Sequence, residues 1–136
     1  MHVPLSDYDD ANPLAGGGLF ALDLRTGKQV WRVAPPKPPC AGQTGCSAAQ
    51  MAPPTAIPGV VFSGSLDGHL RAYGTRNGTL LWDFDTAQPF QTTNGIQARG
   101  GSLNGAGPAV VGGMVYVNSG YTNAMAGNVL LAFSAK

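Results

Sequence analysis

Glutamate is absent from this chain of 136 residues: its seven acidic residues are all aspartate, and charged residues make up only 11%. The ordinary share in soluble domains is about 25%, and helix interiors favour Glu, Lys, Leu and Ala. Two further shortages narrow the function classes. The net charge is +1 with no basic cluster, so nothing is available to neutralise a nucleic-acid backbone. No apolar run approaches the length of about 18 residues that would cross a bilayer. The N-terminus, Met1-His2-Val3-Pro4-Leu5-Ser6-Asp7, lacks the basic and then apolar pattern of an export leader. What the chain has instead is 20 Gly and 11 Pro set among apolar runs, with 43% hydrophobic residues. That is a β-rich composition with many turns, long enough for a core that removes roughly two-thirds of the extended-chain surface from water.

The chain repeats itself. Ala21, Gly27 and Trp31 recur as Ala72, Gly78 and Trp82, a period of about 50 residues. Val129-Leu130-Leu131-Ala132-Phe133 opens a third copy. A second similarity precedes the first: Pro54 to Phe62 resembles Pro108 to Tyr116, each a short strand, a turn at Pro58-Gly59 or Gly112-Gly113, and a β-branched strand. Asp67-Gly68, Thr26-Gly27 and Asn77-Gly78 are hairpin signals between later strands. One unit is therefore four antiparallel strands, the blade of a β-propeller. Residues 1–33 read as the last three strands of one blade, 34–51 as a loop, 52–86 as a complete blade, 87–105 as a loop, and 106–136 as the first three strands of another. The expected fold is all-β, a partial propeller of about two and a half blades. Because a propeller closes only as a ring, the chain is expected to be a C-terminal piece of a larger protein, partnered by the remaining blades or by other copies. Gly68-His69 with Trp82-Asp83 imitates a WD repeat, but the spacing is too short and Trp31 precedes Arg32.

Ala21-x-Asp23-x-x-Thr26-Gly27-Lys28-x-x-Trp31 resembles the repeat of quinoprotein propellers, the pyrroloquinoline quinone (PQQ)-dependent alcohol dehydrogenases. The stretches Gly45 to Gln50, Gly64 to Tyr73 and Asn118 to Tyr121 further resemble the C-terminal part of polyvinyl alcohol dehydrogenase-like quinoproteins. The second copy departs from the pattern at Gly74, Asn77 and Thr79. Ala21, Gly27, Trp31, Ala72, Gly78 and Trp82 are the positions at which this repeat docks one blade on the next. The resemblance implies an oxidoreductase acting on a small or polymeric alcohol, located in the periplasm or outside the cell, with PQQ bound over the central channel and cytochrome c as a possible electron acceptor. It also implies calcium, whose ligands are expected outside this chain. No catalytic residue is assigned among the seven Asp. The chain alone is expected to be inactive, supplying one wall of the cofactor site. The alternative is a non-enzymatic propeller used as a protein-binding scaffold in the cell envelope.

The two long loops are where a ligand would be met. A planar tricarboxylate needs donors and a cation. Arg99 is the candidate guanidinium, and Gln50, Asn94, Ser102 and Asn104 are the candidate donors; these residue types also make ordinary solvated loops. Gly100 to Pro108 is Gly-rich, without the following helix or Lys-Ser/Thr pair of a phosphate cradle; its glycines would let the backbone approach a ligand. Cys40 and Cys46 lack the further ligands that zinc needs. They form either a local disulfide, which suits an oxidising compartment, or two free thiols. There is no Cys-x-x-Cys-His for a haem. His69 is expected on the exposed side of its strand, and Asp7, Asp9 and Asp10 as a solvated loop.

Overall fold

The computed structural model describes residues 1–40 and 42–134. Position 41, within the first expected loop, and positions 135–136, at the end of the third expected blade, lie outside the described residues. Among the described residues every regular element is a strand: β1 (His2–Leu5), β2 (Gly18–Leu22), β3 (Gln29–Val33), β4 (Thr55–Ile57), β5 (Val60–Gly64), β6 (His69–Gly74), β7 (Leu80–Asp85), β8 (Pro89–Gln91), β9 (Gln97–Arg99), β10 (Ala109–Val111), β11 (Met114–Ser119) and β12 (Val129–Ser134). Three antiparallel sheets, β1-β2-β3, β4-β5-β6-β7 and β10-β11-β12, follow one another along the chain. This is a partial β-propeller. The interval 87–105 differs from a plain loop, because it contains the separate hairpin β8-β9. Its strands have three residues each, too short to show alternation, and Phe90 packs on Phe84 at 6.4 Å between ring centroids.

Sheet faces, not sheets, make the cores. Leu19, Ala21 and Trp31 of the first sheet bury against Val61 and Tyr73 of the second. On the other side of the second sheet, Phe62, Leu70 and Ala72 pack against Leu103 and Val117, flanked by Trp82, Leu131 and Phe133. Alternation along β5 and β6 thus sends odd positions toward one neighbour and even positions toward the other. The first strands of adjacent blades meet where the Thr55 hydroxyl donates to the Pro108 carbonyl at 2.5 Å.

The first interface is fastened at one turn. Trp31 donates from Nε1 to the carbonyl of Thr75 in the neighbouring β6-β7 turn at 2.9 Å. The turn can lie this close because position 78 has no side chain: a Cβ there would stand 2.8 Å from Trp31 Cε3 and 2.7 Å from Val33 Cγ2. Gly27 occupies the matching turn of the first sheet at the same φ of 69°, with open space around it. At the second interface Trp82 is only half-buried and faces a groove of about 690 Å³ lined by Ile57, Val60, Phe62, Val110, Val115 and Phe133.

The two turns separate backbone strain from blade docking. Gly27→Ala places a Cβ in a left-handed conformation and is expected to cost about 1 kcal/mol. Gly78→Ala adds overpacking against Trp31, for a total of about 2–4 kcal/mol. Urea denaturation of both variants measures the difference; equal losses would mean that the Trp31 contact contributes nothing to stability.

Candidate functional site

Antiparallel strands place the β5-β6 turn, the β11-β12 loop and both long inter-blade segments at one end of the sheets, here called the crown. The crown is knitted by backbone hydrogen bonds between blades. Leu66 N–H donates to Ala49 O at 3.0 Å, Leu103 N–H to Ser65 O at 3.1 Å, and Ala48 N–H to Pro13 O at 3.1 Å. Such straps need bare backbone. A Cβ at Gly100 would fall 1.7 Å from Thr86 O, one at Gly101 2.0 Å from Met125 O, and one at Gly107 2.2 Å from Pro53 O. Gly100, Gly101 and Gly107 of the run expected to approach a ligand are therefore packed against neighbouring protein backbone, whereas Gly105 has open space around it.

Cys40 and Cys46 are joined in a disulfide with Cα atoms 5.8 Å apart, and both are buried. The loop they close reaches across the crown. Cys40 Sγ lies 3.7 Å from Asp67 O in the second blade, and a Cβ on Gly45 would stand 2.6 Å from the Ala124 backbone in the third.

Of the five candidate cofactor donors, Gln50 and Ser102 reach the β5-β6 hairpin and Asn104 reaches the β11-β12 loop. Gln50 is buried, its Oε1 accepting from the Ser63 hydroxyl at 2.9 Å. Ser102 is buried, donating to Leu66 O at 2.5 Å and accepting from Met125 N–H at 3.1 Å. Asn104 is half-buried, with Nδ2 donating to Thr122 Oγ1 at 3.3 Å. The other two sit on the β8-β9 hairpin. Asn94 is exposed near its tip, its Oδ1 accepting from Thr92 Oγ1 and from Ile96 N–H. Arg99 ends β9, exposed; its backbone N–H donates to Asn128 Oδ1 at 3.1 Å, and its guanidinium has no partner among the described residues. Ser102 thus spends its hydroxyl inside the protein and Gln50 its carbonyl oxygen, whereas Arg99, Asn104 and Asn94 keep atoms to offer.

One polar cluster escaped the sequence reading. Arg71, 3% exposed, donates from Nη2 to Asp67 Oδ2 at 2.6 Å, from Nη1 to Ser65 Oγ at 2.7 Å and from Nε to Asp83 Oδ2 at 3.2 Å. Asp67 Oδ1 also accepts from Ser65 Oγ and from His69 N–H. His69 is not on an exposed side: its side chain is 14% exposed and its Nδ1 is 2.6 Å from Asp83 Oδ1. The signal was Ser65-x-Asp67-Gly68-x-x-Arg71, in which the hairpin turn brings the acid under the base. Burial works to lower the Arg71 pKa, but the hydrogen bond and charge of Asp67 outweigh it, and the net direction is up. Burial pushes the Tyr73 phenol up to about 12, against the opposing pull of Arg71. Both groups hold their ordinary protonation at neutral pH.

Among the described residues no group of three His, Cys, Asp or Glu side chains is placed to hold a metal ion. A carboxylate-bearing planar ligand fits in part, since the Arg99 guanidinium, without a partner among the described residues, suits a carboxylate.

The family model described as outer membrane protein assembly factor BamB, PQQ_2, matches residues 15–136. The chain is 46% identical over 129 residues to a polyvinylalcohol dehydrogenase of Pseudomonas sp., and 42% identical over 131 residues to that of Sphingopyxis sp. (strain 113P3). Each alignment covers 86% of this chain and 20% of the relative. A 1-butanol dehydrogenase (cytochrome c) of Thauera butanivorans is 32% identical over 106 residues, covering 75% of this chain and 14% of the relative. The chain thus spans about a fifth of the length of the first two relatives. The crystal structure of BamB from Moraxella catarrhalis superposes with a TM-score of 0.57 at 24% identity, covering 87% of this chain and 31% of that one; this likeness concerns the fold.

Asp67→Asn is expected to destabilise by about 3 kcal/mol, because it leaves the buried guanidinium without its main counter-charge. The double variant Asp67→Asn with Arg71→Met should cost less than Arg71→Met alone, and denaturant melts that show simple additivity would refute the coupling. The Tyr73 phenol carries a pH signature of the opposite kind. Its folded pKa lies above the unfolded value of 10, so its contribution is complete below pH 10 and is lost as pH rises toward about 12. Tyr73→Phe should flatten that alkaline loss in stability-versus-pH curves; an unchanged slope would contradict it.

Proposed function

The chain belongs to the PQQ_2 propeller family, and from that premise we propose that it forms part of a PQQ-dependent alcohol dehydrogenase. What carries the reading is the likeness to polyvinylalcohol dehydrogenases over 86% of the chain at 46% and 42% identity, well above the 24% to BamB. The crown faces the cofactor. Arg99 supplies a guanidinium to a PQQ carboxylate, and Asn104 and Asn94 supply hydrogen bonds. Gln50 and Ser102 act one step back, holding the loops through Ser63 and Leu66. When bound, PQQ supplies the two-electron acceptor for oxidation of an alcohol, and the protein's part is to bind and orient it. Calcium ligands come from other blades.

The remaining blades of the parent chain are the partners of the two outer sheet faces. Val30, Val111 and Leu130 are each more than 60% exposed there, which suits burial by a neighbouring sheet. The substrate is a small or polymeric alcohol, and a cytochrome c is the electron acceptor. Location in the periplasm or outside the cell agrees with the Cys40–Cys46 disulfide. A second reading, an envelope scaffold without a cofactor, is favoured by the family model's description and by the internal use of Gln50 and Ser102.

The two readings part on cofactor uptake. The full-length parent protein should take up PQQ in the presence of calcium and reduce a dye when given alcohol, and Arg99→Ala should weaken PQQ binding about tenfold or more. A folded parent that takes up no PQQ would overturn the enzyme reading in favour of the scaffold.

A further inference from the structure

Three Asn-Gly pairs occur in the chain: Asn77-Gly78, Asn94-Gly95 and Asn104-Gly105. At such a pair the glycine nitrogen can attack the asparagine side-chain carbonyl, unhindered by a following side chain. A C–N bond closes a succinimide ring as the amide proton goes to solvent and ammonia leaves. Water then opens the ring to aspartate or isoaspartate; nothing is oxidised or reduced. The attack requires a glycine N–H that no acceptor holds and a side-chain amide that can swing toward it.

The three sites differ sharply on both counts. Gly78 N–H donates to Gly74 O at 2.9 Å, the residue is buried beneath Trp31, and Asn77 Oδ1 accepts from Thr79 N–H at 3.1 Å. Gly95 N–H donates to Thr92 O at 3.1 Å, and Asn94 Oδ1 is held by the Thr92 hydroxyl and Ile96 N–H. Gly105 is exposed, a Cβ added there would meet nothing, and among the described residues its N–H has no acceptor. Its partner Asn104 is restrained by the single 3.3 Å bond to Thr122 Oγ1.

We propose that Asn104 is a deamidation site of the folded protein, converting to aspartate or isoaspartate ahead of Asn94 and Asn77. The inference rests on the geometry of the crown strap and stands independently of any cofactor. Conversion replaces the donor to Thr122 with a carboxylate, on the strap that also carries Arg99, so the crown acquires a negative charge as the protein ages.

Incubation of the folded parent protein in heavy-oxygen water at mildly alkaline pH, followed by proteolysis and peptide mass mapping, tests this. The expected result is amide-to-acid conversion with label uptake at Asn104, at several times the rate at Asn94 or Asn77. In urea the lead of Asn104 should disappear, because all three pairs share the Asn-Gly chemistry. Equal or faster conversion at Asn94 or Asn77 in the folded protein would overturn the proposal, and so would a lead of Asn104 that persists unchanged in urea.

Discussion

A blade of this kind cannot bury its own faces, and the contact that lets one blade bury another is Trp31 seated on the turn at Gly78. The indole gives its N–H to Thr75 O and lays its ring where a side chain at 78 would otherwise stand. With that turn fixed, Leu19 and Ala21 meet Val61 and Tyr73 in one dry layer. Trp82 repeats the residue without repeating the seat. Its ring meets Phe133 edge-on at 5.1 Å and Phe84 at 5.7 Å, and it borders the open groove. Trp31 is buried under the Gly78 turn, whereas among the described residues no turn lies over Trp82, which is half-buried.

The crown follows a different rule. Blades there are joined by main chain, and three glycines stand where any Cβ would collide with a neighbouring carbonyl. Backbone groups that approach so closely must be hydrogen-bonded to be buried, and the bonds of Leu66, Leu103 and Ser102 meet that demand. Among the described residues the crown buries the ion pair of Asp67 with Arg71, and that pair is saturated by Ser65, His69 and Asp83.

What was legible in the sequence was what repeats. Ala21, Gly27 and Trp31 returning as Ala72, Gly78 and Trp82 yield strand order and blade identity, because the period of a propeller is written along the chain. The β8-β9 hairpin was not legible, since three-residue strands leave no alternation and their anchor, Phe90 on Phe84, is a tertiary contact. The Arg71 cluster was hidden for a similar reason: Asp67-Gly68 announces a turn, but only the folded hairpin shows that it carries Asp67 to Arg71 and β7 carries Asp83 to His69. Residue type alone could not sort the loop donors. Ser102 and Asn104 are alike as polar residues two positions apart, yet one is wholly engaged within the protein and the other half-exposed.

That sorting bears on how one blade architecture serves two kinds of protein. The elements that hold the blades together, Trp31 on Gly78 and the glycine straps of the crown, are indifferent to chemistry, so a catalyst and a scaffold can share them. Difference has to reside in atoms that the fold does not consume. Among the five candidate donors those are the Arg99 guanidinium at the end of β9 and the side-chain amides of Asn94 and Asn104. In the proposed enzyme, a carboxylate-bearing cofactor would use the cation of Arg99, which no acid among the described residues neutralises.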